Sequence, residues 1–189
     1  LENLTIRIFT EREGEIPIFN FGALLNSVQR ELQSLKSLSV HCKNIIISNF
    51  KEENAKSFKL TNLIIEGLLD SESSLPSLMK IIDPNSKGCS QLGKVPIKDG
   101  KAAEILLQSL LSIPPALKTS VTVDWQNPDI SDFKKILTLI LEKYQGAKLL
   151  IYVISRVILE LELKKYLLSL ANKSPNVGLT LHTPKAKRL

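Results

Sequence analysis

The sequence has few of the residues from which catalytic and metal sites are usually built. It contains two histidines and two cysteines in 189 residues. Cys42 and Cys89 lie far apart and lack the spacing of metal ligands, so we predict neither a zinc site nor a disulfide framework. We therefore expect no metal and no cofactor. Two free cysteines also favour a reducing, intracellular location, in the cytoplasm or nucleus.

Phosphate-binding loops and membrane-spanning runs are also missing. Neither G-x-x-x-x-G-K-S/T nor G-x-G-x-x-G occurs, and these are the loops whose backbone cradles a nucleotide phosphate. No apolar run approaches the roughly 20 residues that span a bilayer. We expect a soluble protein without membrane contact. Because the chain begins at Leu1 in a strand-like segment, we also expect it to be part of a longer protein.

Aromatic residues are scarce, at 5% of the chain, whereas basic residues exceed acidic ones by 25 to 19. Half of the resulting charge of +6 comes from Lys185, Lys187 and Arg188. A basic end of this kind is usually a solvated terminus. Single-stranded nucleic acid is bound by basic residues interleaved with aromatics, a pattern that this sequence does not show. A basic nucleic-acid-associated scaffold stays an alternative, but it is not the expected function.

Short alternating segments and helical stripes follow one another along the chain. The clearest stretch predicts a helix over 131–145, a strand over 148–155, a helix over 158–172 and a strand over 177–182. Further strands are predicted at 4–9, 38–41, 60–68 and 120–125, and further helical stripes at 21–35, 76–82 and 101–113. Residues 45–47 either extend the second strand or form a separate edge.

The predicted strands recur at a nearly fixed period. Their first inward residues are Ile6, Leu38, Leu63, Val121, Ile151 and Leu179. The successive intervals are 32, 25, 58, 30 and 28 residues, and the longest is two periods of about 29. Such a period is typical of a stacked repeat protein. The irregular segment 83–100 lies in the long interval, as either an exposed insertion or a degenerate repeat.

Two phrases within this period resemble a known family. They are Leu35-x-x-Leu38-x-Val40 and Leu60-x-x-Leu63-x-Ile65. In this spacing the chain resembles the leucine-rich repeat family, closest to the long-repeat, ribonuclease-inhibitor-like class found in NOD-like receptors and F-box substrate adaptors. Lys43 and Leu68 stand where the family has Asn or Cys, so the resemblance is to a degenerate member.

The resemblance implies an α/β fold over residues 1–189, as a single repeat-type domain. The fold would be an open solenoid with a parallel sheet on one side and helices on the other. The alternative is a single α/β or α+β sheet with helices packed on it. A doubly wound domain also repeats at about 30 residues, but its strands are apolar on both faces. The alternating strands of this chain favour one solvated face.

If the resemblance holds, the concave strand face binds a protein partner. Trp125 and Tyr152 are candidate anchors, since aromatic side chains often carry the binding energy of interfaces. Tyr152 would instead be a core residue if Leu150 and Ile154 faced inward. The predicted contact residues are Arg7, Ser39, His41, Glu66, Thr122, Asp124, Trp125, Tyr152, Thr180 and His182.

An enzyme is the less favoured interpretation. Ser39, His41 and Asp124 have the residue types of a nucleophilic triad, but no nucleophile elbow supports it. A small α/β enzyme would use 83–100 as an active-site loop, with Asp99 or His41 as its acid–base group. We predict no enzyme activity and instead a sensor or substrate-recognition role, as in an innate immune receptor or a ubiquitin-ligase adaptor.

Overall fold

The computed structural model describes most of the chain. The described residues are 1–9, 18–28, 34–47, 59–69, 74–155 and 159–183. The basic end at Lys185, Lys187 and Arg188 lies outside them, as does the part of the first predicted helix at 29–33.

The described residues contain eight strands, which form one open parallel sheet. The strands are β1 (Asn3–Arg7), β2 (Ile18–Asn20), β3 (Ser37–Ile46), β4 (Asn62–Leu69), β5 (Cys89–Ile97), β6 (Lys118–Trp125), β7 (Lys148–Ser155) and β8 (Val177–His182). Apart from β2, which pairs with the second half of β3, they lie side by side in chain order from β1 to β8. The predicted α/β fold with a parallel sheet is confirmed.

Five helices connect these strands within the described residues. They are α1 (Phe21–Val28), α2 (Ser74–Ile81), α3 (Gly100–Leu111), α4 (Ile130–Lys143) and α5 (Leu161–Lys173). Helices α2 to α5 pack against one another in that order. Parallel strands joined by crossovers of one hand, in consecutive order, place all their helices on the same side of the sheet. The sheet is therefore covered on one face.

Capping side chains determine where α3 and α4 begin. Asp99, a predicted cap, accepts a hydrogen bond of 2.9 Å from the N–H of Ala102. Asp129 accepts bonds from the hydroxyl and N–H of Ser131, which lower the pKa of the Asp129 carboxyl. The predicted start of the last helix at 158 lies outside the described residues. Helix α5 begins at Leu161, because Glu160 has a non-helical ψ of 143°.

The core lies between the sheet and the helices. Val121 and Val123 of β6 and Ile151 and Val153 of β7 alternate with exposed or partly exposed residues, and all four are buried. Burying a side chain of this size stabilises the fold by roughly 1.5–3 kcal/mol. The side chains between these core residues therefore point to the second face of the sheet, which faces solvent.

A line of backbone irregularities crosses β3, β4 and β5. The pairing register shifts between β3 and β4, between β4 and β5, and between β5 and β6. Gly67 has φ +157°, and a Cβ built on it would lie 1.8 Å from the carbonyl oxygen of Cys42. A Cβ on Gly93 would lie 2.3 Å from the carbonyl oxygen of Gly67. Glycine at both positions lets these neighbouring bulged backbones approach closely.

The segment 83–100, for which the sequence left an insertion or a degenerate repeat open, contains β5. This strand lies in the middle of the sheet, paired with β4 on one side and β6 on the other. The hydroxyls of Ser90 and Thr119 share a buried hydrogen bond of 3.0 Å between β5 and β6. The segment thus supplies one of the sheet's central strands.

Candidate functional site

The side of the sheet opposite the helices forms the candidate site, which we call the open face. It carries the strand side chains that alternate with the core residues. No helix of the described residues packs on this side. From β3 to β8 its members are Ser39, His41, Ile64, Glu66, Leu68, Gln91, Lys94, Lys118, Ser120, Thr122, Lys148, Leu150, Tyr152, Ile154, Thr180 and His182.

Three apolar side chains follow one another along β7 on the open face. Tyr152 is 41% exposed and Ile154 is 39% exposed, and Leu150 beside them is partly exposed. We call these three residues the β7 patch. In the pairing register Tyr152 lies between Thr122 of β6 and Thr180 of β8. Exposed apolar residues rimmed by polar ones commonly mark a protein contact site.

A hydrogen-bonded pair of side chains, His41 and Glu66, lies at the β3 end of the open face. His41 Nδ1 is 2.7 Å from Glu66 Oε2, and Arg7 lies opposite His41 on β1. The Glu66 side chain is 53% exposed, so the pair is screened by solvent and stabilises by about 1 kcal/mol at most. Its main consequence is local: it joins the side chains of β3 and β4 beside the bulge at Gly67.

A groove of about 560 Å³ follows the bulge across the open face. Lys43, Glu66, Gly67, Gln91 and Gly93 are among the residues that line it. A second groove, of about 620 Å³, lies on the opposite side of the molecule between α2 and α3. The groove on the open face is continuous with the His41–Glu66 hydrogen bond, because the two share Glu66.

Asp124 is buried, so its predicted role as a partner contact is wrong. Its side chain is 3% exposed and its carboxylate lies 3.2 Å from Lys94 Nζ. Gln126 donates a hydrogen bond of 2.9 Å to the same carboxylate oxygen. The register shift at Gly93 puts Lys94 on the open face, where its ammonium reaches this carboxylate. The carboxylate therefore makes its contacts within the chain and is not presented to a partner.

We expect Asp124→Asn to lower the free energy of unfolding by about 1–2 kcal/mol, since the charge-assisted contacts of the buried carboxylate to Lys94 and to Gln126 are both weakened or lost. Lys94 is itself 41% exposed and can be solvated. A double-mutant cycle with Lys94→Met, measured by urea unfolding, should give a coupling below about 1 kcal/mol. Unchanged stability combined with lost partner binding would instead restore Asp124 as a contact residue.

Trp125 is also buried, and its predicted role as an exposed anchor is wrong. It is the last residue of β6, 1% exposed, and continues the inward alternation of Val121 and Val123. Its indole N–H donates to the carbonyl oxygen of Asn127 at 2.9 Å. Its ring meets Phe133 of α4 edge to face, with centroids 5.0 Å apart. The side chain is a core residue that joins the sheet to α4.

The other eight predicted contact residues lie on the side of the sheet away from the helices. They are Arg7, Ser39, His41, Glu66, Thr122, Tyr152, Thr180 and His182. Sequence reasoning missed Leu68, Lys94 and Ile154, and also Lys118 and Lys148. The two lysines share the alternation of Thr122 and Tyr152, a signal that was present in the sequence. Lys94 does not follow the alternation of Gln91 in β5, because the bulge at Gly93 shifts the register by one residue.

The candidate catalytic groups are not brought together. His41 in β3 and Asp124 in β6 are three strand spacings apart, about 14 Å. Asp99 caps α3, as described above. Within the described ranges, no group of three or more His, Cys, Asp and Glu side chains is placed to hold a metal ion. The polar residues of the open face are therefore distributed over a wide surface, without a shared centre.

None of the helices in the described part of the chain combines the length and the apolar character that crossing a bilayer requires. Comparisons with protein-family models, with curated proteins and with solved structures find no match to this chain. The resemblance to leucine-rich repeats therefore stays a prediction.

Proposed function

We propose that the chain is a non-enzymatic interaction module that binds a protein partner through the open face. The observation that carries this proposal is the β7 patch, an apolar strip on an uncovered sheet face. Strand β7 is the second strand from the β8 edge, and a partner seated on Tyr152 and Ile154 would also contact β6 and β8 on either side. Exposed aromatic side chains commonly act as anchors of protein interfaces.

The size of the open face supports this function. Six spacings separate β1 from β8, which gives a width of about 29 Å at roughly 4.8 Å per strand. A strand of eight residues adds a length of about 26 Å. The resulting area is of the order of the 800 Å² that each partner contributes to a standard interface. A small ligand would use a fraction of it.

The consecutive order of the strands supports a stack of strand–helix repeats, and we propose that the open face is the concave side of a degenerate leucine-rich-repeat-type solenoid. In such a stack each unit adds one strand to a continuous binding surface. The mixed polar, charged and apolar side chains then select the partner. We infer an intracellular sensor or substrate-recognition role, in which partner binding is the activity.

Site-specific photo-crosslinking tests the proposal. A photoreactive amino acid is placed at Thr180 on the open face and, in a second variant, at Lys135 on α4, where the side chain is 57% exposed. We expect the Thr180 variant to crosslink a defined protein and the Lys135 variant not to do so. A defined partner captured from Lys135 alone would contradict the proposed face.

We expect Tyr152→Ala to weaken binding of the crosslinked partner at least tenfold, because truncation removes the aromatic anchor of the β7 patch. Tyr166→Ala is the matched control, since Tyr166 is 43% exposed but lies on α5. Isothermal titration calorimetry with the purified partner measures both. The proposal fails if Tyr166→Ala costs affinity and Tyr152→Ala does not.

A further inference from the structure

Two lysines lie directly opposite each other on the open face. Lys118 and Lys148 are the first residues of β6 and β7 and are partners in the parallel register. Both are exposed, and the buried residues Thr119 and Leu149 that follow them point to the helices. The two Cα atoms are thus about one strand spacing, roughly 4.8 Å, apart. Their ammonium groups leave the sheet on the same side.

The described part of the chain supplies no counter-charge to this pair of like charges. Neither ammonium has an ion-pair partner among the described residues. Lys94 of β5 differs, since its ammonium lies 3.2 Å from the Asp124 carboxylate. Like charges directly opposite each other on neighbouring strands destabilise a sheet. An anionic group placed between the two lysines would remove that repulsion.

The lysine pair is aligned with the β7 patch. Lys148, Leu150 and Tyr152 are alternate residues of one strand, so all three side chains project from the open face. Alternate residues of a strand are about 6.6 Å apart, which places the lysine pair about 13 Å from Tyr152. An extended segment lying along β7 would meet positive charge at one end and apolar surface two to four residues further on.

We propose that the open face binds an acidic segment of its protein partner. An Asp or Glu carboxylate would lie between Lys118 and Lys148, and an apolar side chain of the same segment would pack on the β7 patch. This inference rests on the proposed function and specifies the partner's chemistry. Nucleic acid fits less well, because the β7 patch offers two aliphatic side chains and a single ring, where stacking platforms use several rings.

Selection from a phage library of random 12-residue peptides tests the inference. Peptides that bind the chain and depend on Tyr152 should be enriched in Asp and Glu beside apolar residues. Fluorescence anisotropy should show that Lys118→Gln/Lys148→Gln weakens these peptides roughly three- to tenfold, with the loss screened by salt. Lys118→Glu/Lys148→Glu should shift the selected peptides toward Lys and Arg.

The control variant, Lys135→Gln/Lys165→Gln, removes the same charge from exposed positions on α4 and α5 and should leave peptide affinity unchanged. Peptides that depend on Tyr152 but show no acidic enrichment would overturn this inference and leave the proposed function standing. A selection without Tyr152-dependent peptides would overturn both. Tighter binding of oligo(dT) than of the acidic peptides, lost in the Lys118→Gln/Lys148→Gln variant, would overturn the choice of a protein segment.

Thermal unfolding tests the repulsion between Lys118 and Lys148 without any ligand. Lys118→Gln alone should raise the midpoint of thermal unfolding at low ionic strength, because it removes the repulsion with Lys148. The gain should disappear at about 0.5 M NaCl, where charges one strand spacing apart are strongly screened. A midpoint unchanged at low salt, in a variant that folds normally, would show that the lysines do not repel and would remove the physical basis of the inference.

Discussion

Replacing Gly67 with alanine is expected to destabilise the protein by about 3–5 kcal/mol, a large share of the roughly 5–15 kcal/mol by which folded proteins are usually stable. The backbone has φ +157°, which L residues rarely adopt, and the new Cβ would lie 1.8 Å from the carbonyl oxygen of Cys42. The clash is with backbone, so no side-chain rotation relieves it. Strand β4 must move away from β3 or lose its bulge.

Gly100→Ala is the matched control. Gly100 is the first residue of α3, and a Cβ there would meet the end of the Asp132 side chain, which can rotate away. We expect a change within about 1 kcal/mol, because alanine is the better helix former. Urea unfolding followed by circular dichroism measures both variants. A loss below 1 kcal/mol for Gly67→Ala would show that the bulge between β3 and β4 is not formed as described.

The second large effect is expected at Trp125. Trp125→Ala should lower the free energy of unfolding by about 3–5 kcal/mol, the usual cost of truncating a large buried aromatic residue. The substitution empties the space beside Phe133 and removes the donor to Asn127. Trp125→Phe should cost less, since it keeps a ring against Phe133 but loses the hydrogen bond.

Tyr152→Ala provides the comparison, because the same truncation on the exposed side of the neighbouring strand should change stability by less than about 1 kcal/mol. Chemical denaturation of the three variants gives the ranking directly. If Trp125→Ala left stability unchanged and abolished partner binding, Trp125 would be an exposed anchor and the packing of β6 on α4 would be wrong.

The regular strands were predictable because the residues that alternate as apolar in the sequence are the residues that the helices bury. The predicted bounds of the strands at 148–155 and 177–182 match β7 and β8. In β7 the inward Ile151 and Val153 alternate with outward residues over the whole strand. The same alternation placed Thr122 and Thr180 on the solvent-facing side. One face of the sheet was therefore identifiable before the structure.

The bulges were not predicted because they depend on contacts between strands. Gly67 and Gly93 are isolated glycines within strands, a pattern that indicates a bulge or a close backbone approach. Their consequence is the register shift that changes which residues face inward. In β5 the core side passes from Leu92 to Val95, and Lys94 reaches Asp124 from the other side. A sequence alternation followed without this shift misplaces Lys94. Asp124 keeps the alternation of Ser120 and Thr122 in β6 but is buried beside the Lys94 ammonium.

Trp125 was misassigned for a different reason. The predicted strand at 120–125 contains it, as β6 does, but the side chain was assigned to a partner contact, whereas the inward alternation of Val121 and Val123 continues to the strand's last residue. Asn127 then supplies the acceptor that a buried indole N–H needs. Asn127 is two residues away in sequence. That the indole is buried, and so requires an acceptor, follows from the packing of α4 on Trp125, which the sequence does not show.

The central claim is that one face of the sheet is uncovered and binds a partner, and thiol labelling tests it most directly. In a Cys89→Ser background, Thr122→Cys and Val123→Cys place thiols on opposite faces of β6. We predict that the Thr122→Cys thiol reacts in the folded protein and is protected by the partner, while the Val123→Cys thiol reacts through unfolding alone. Equal protection of both thiols without a partner would show that both faces are covered and would contradict the account.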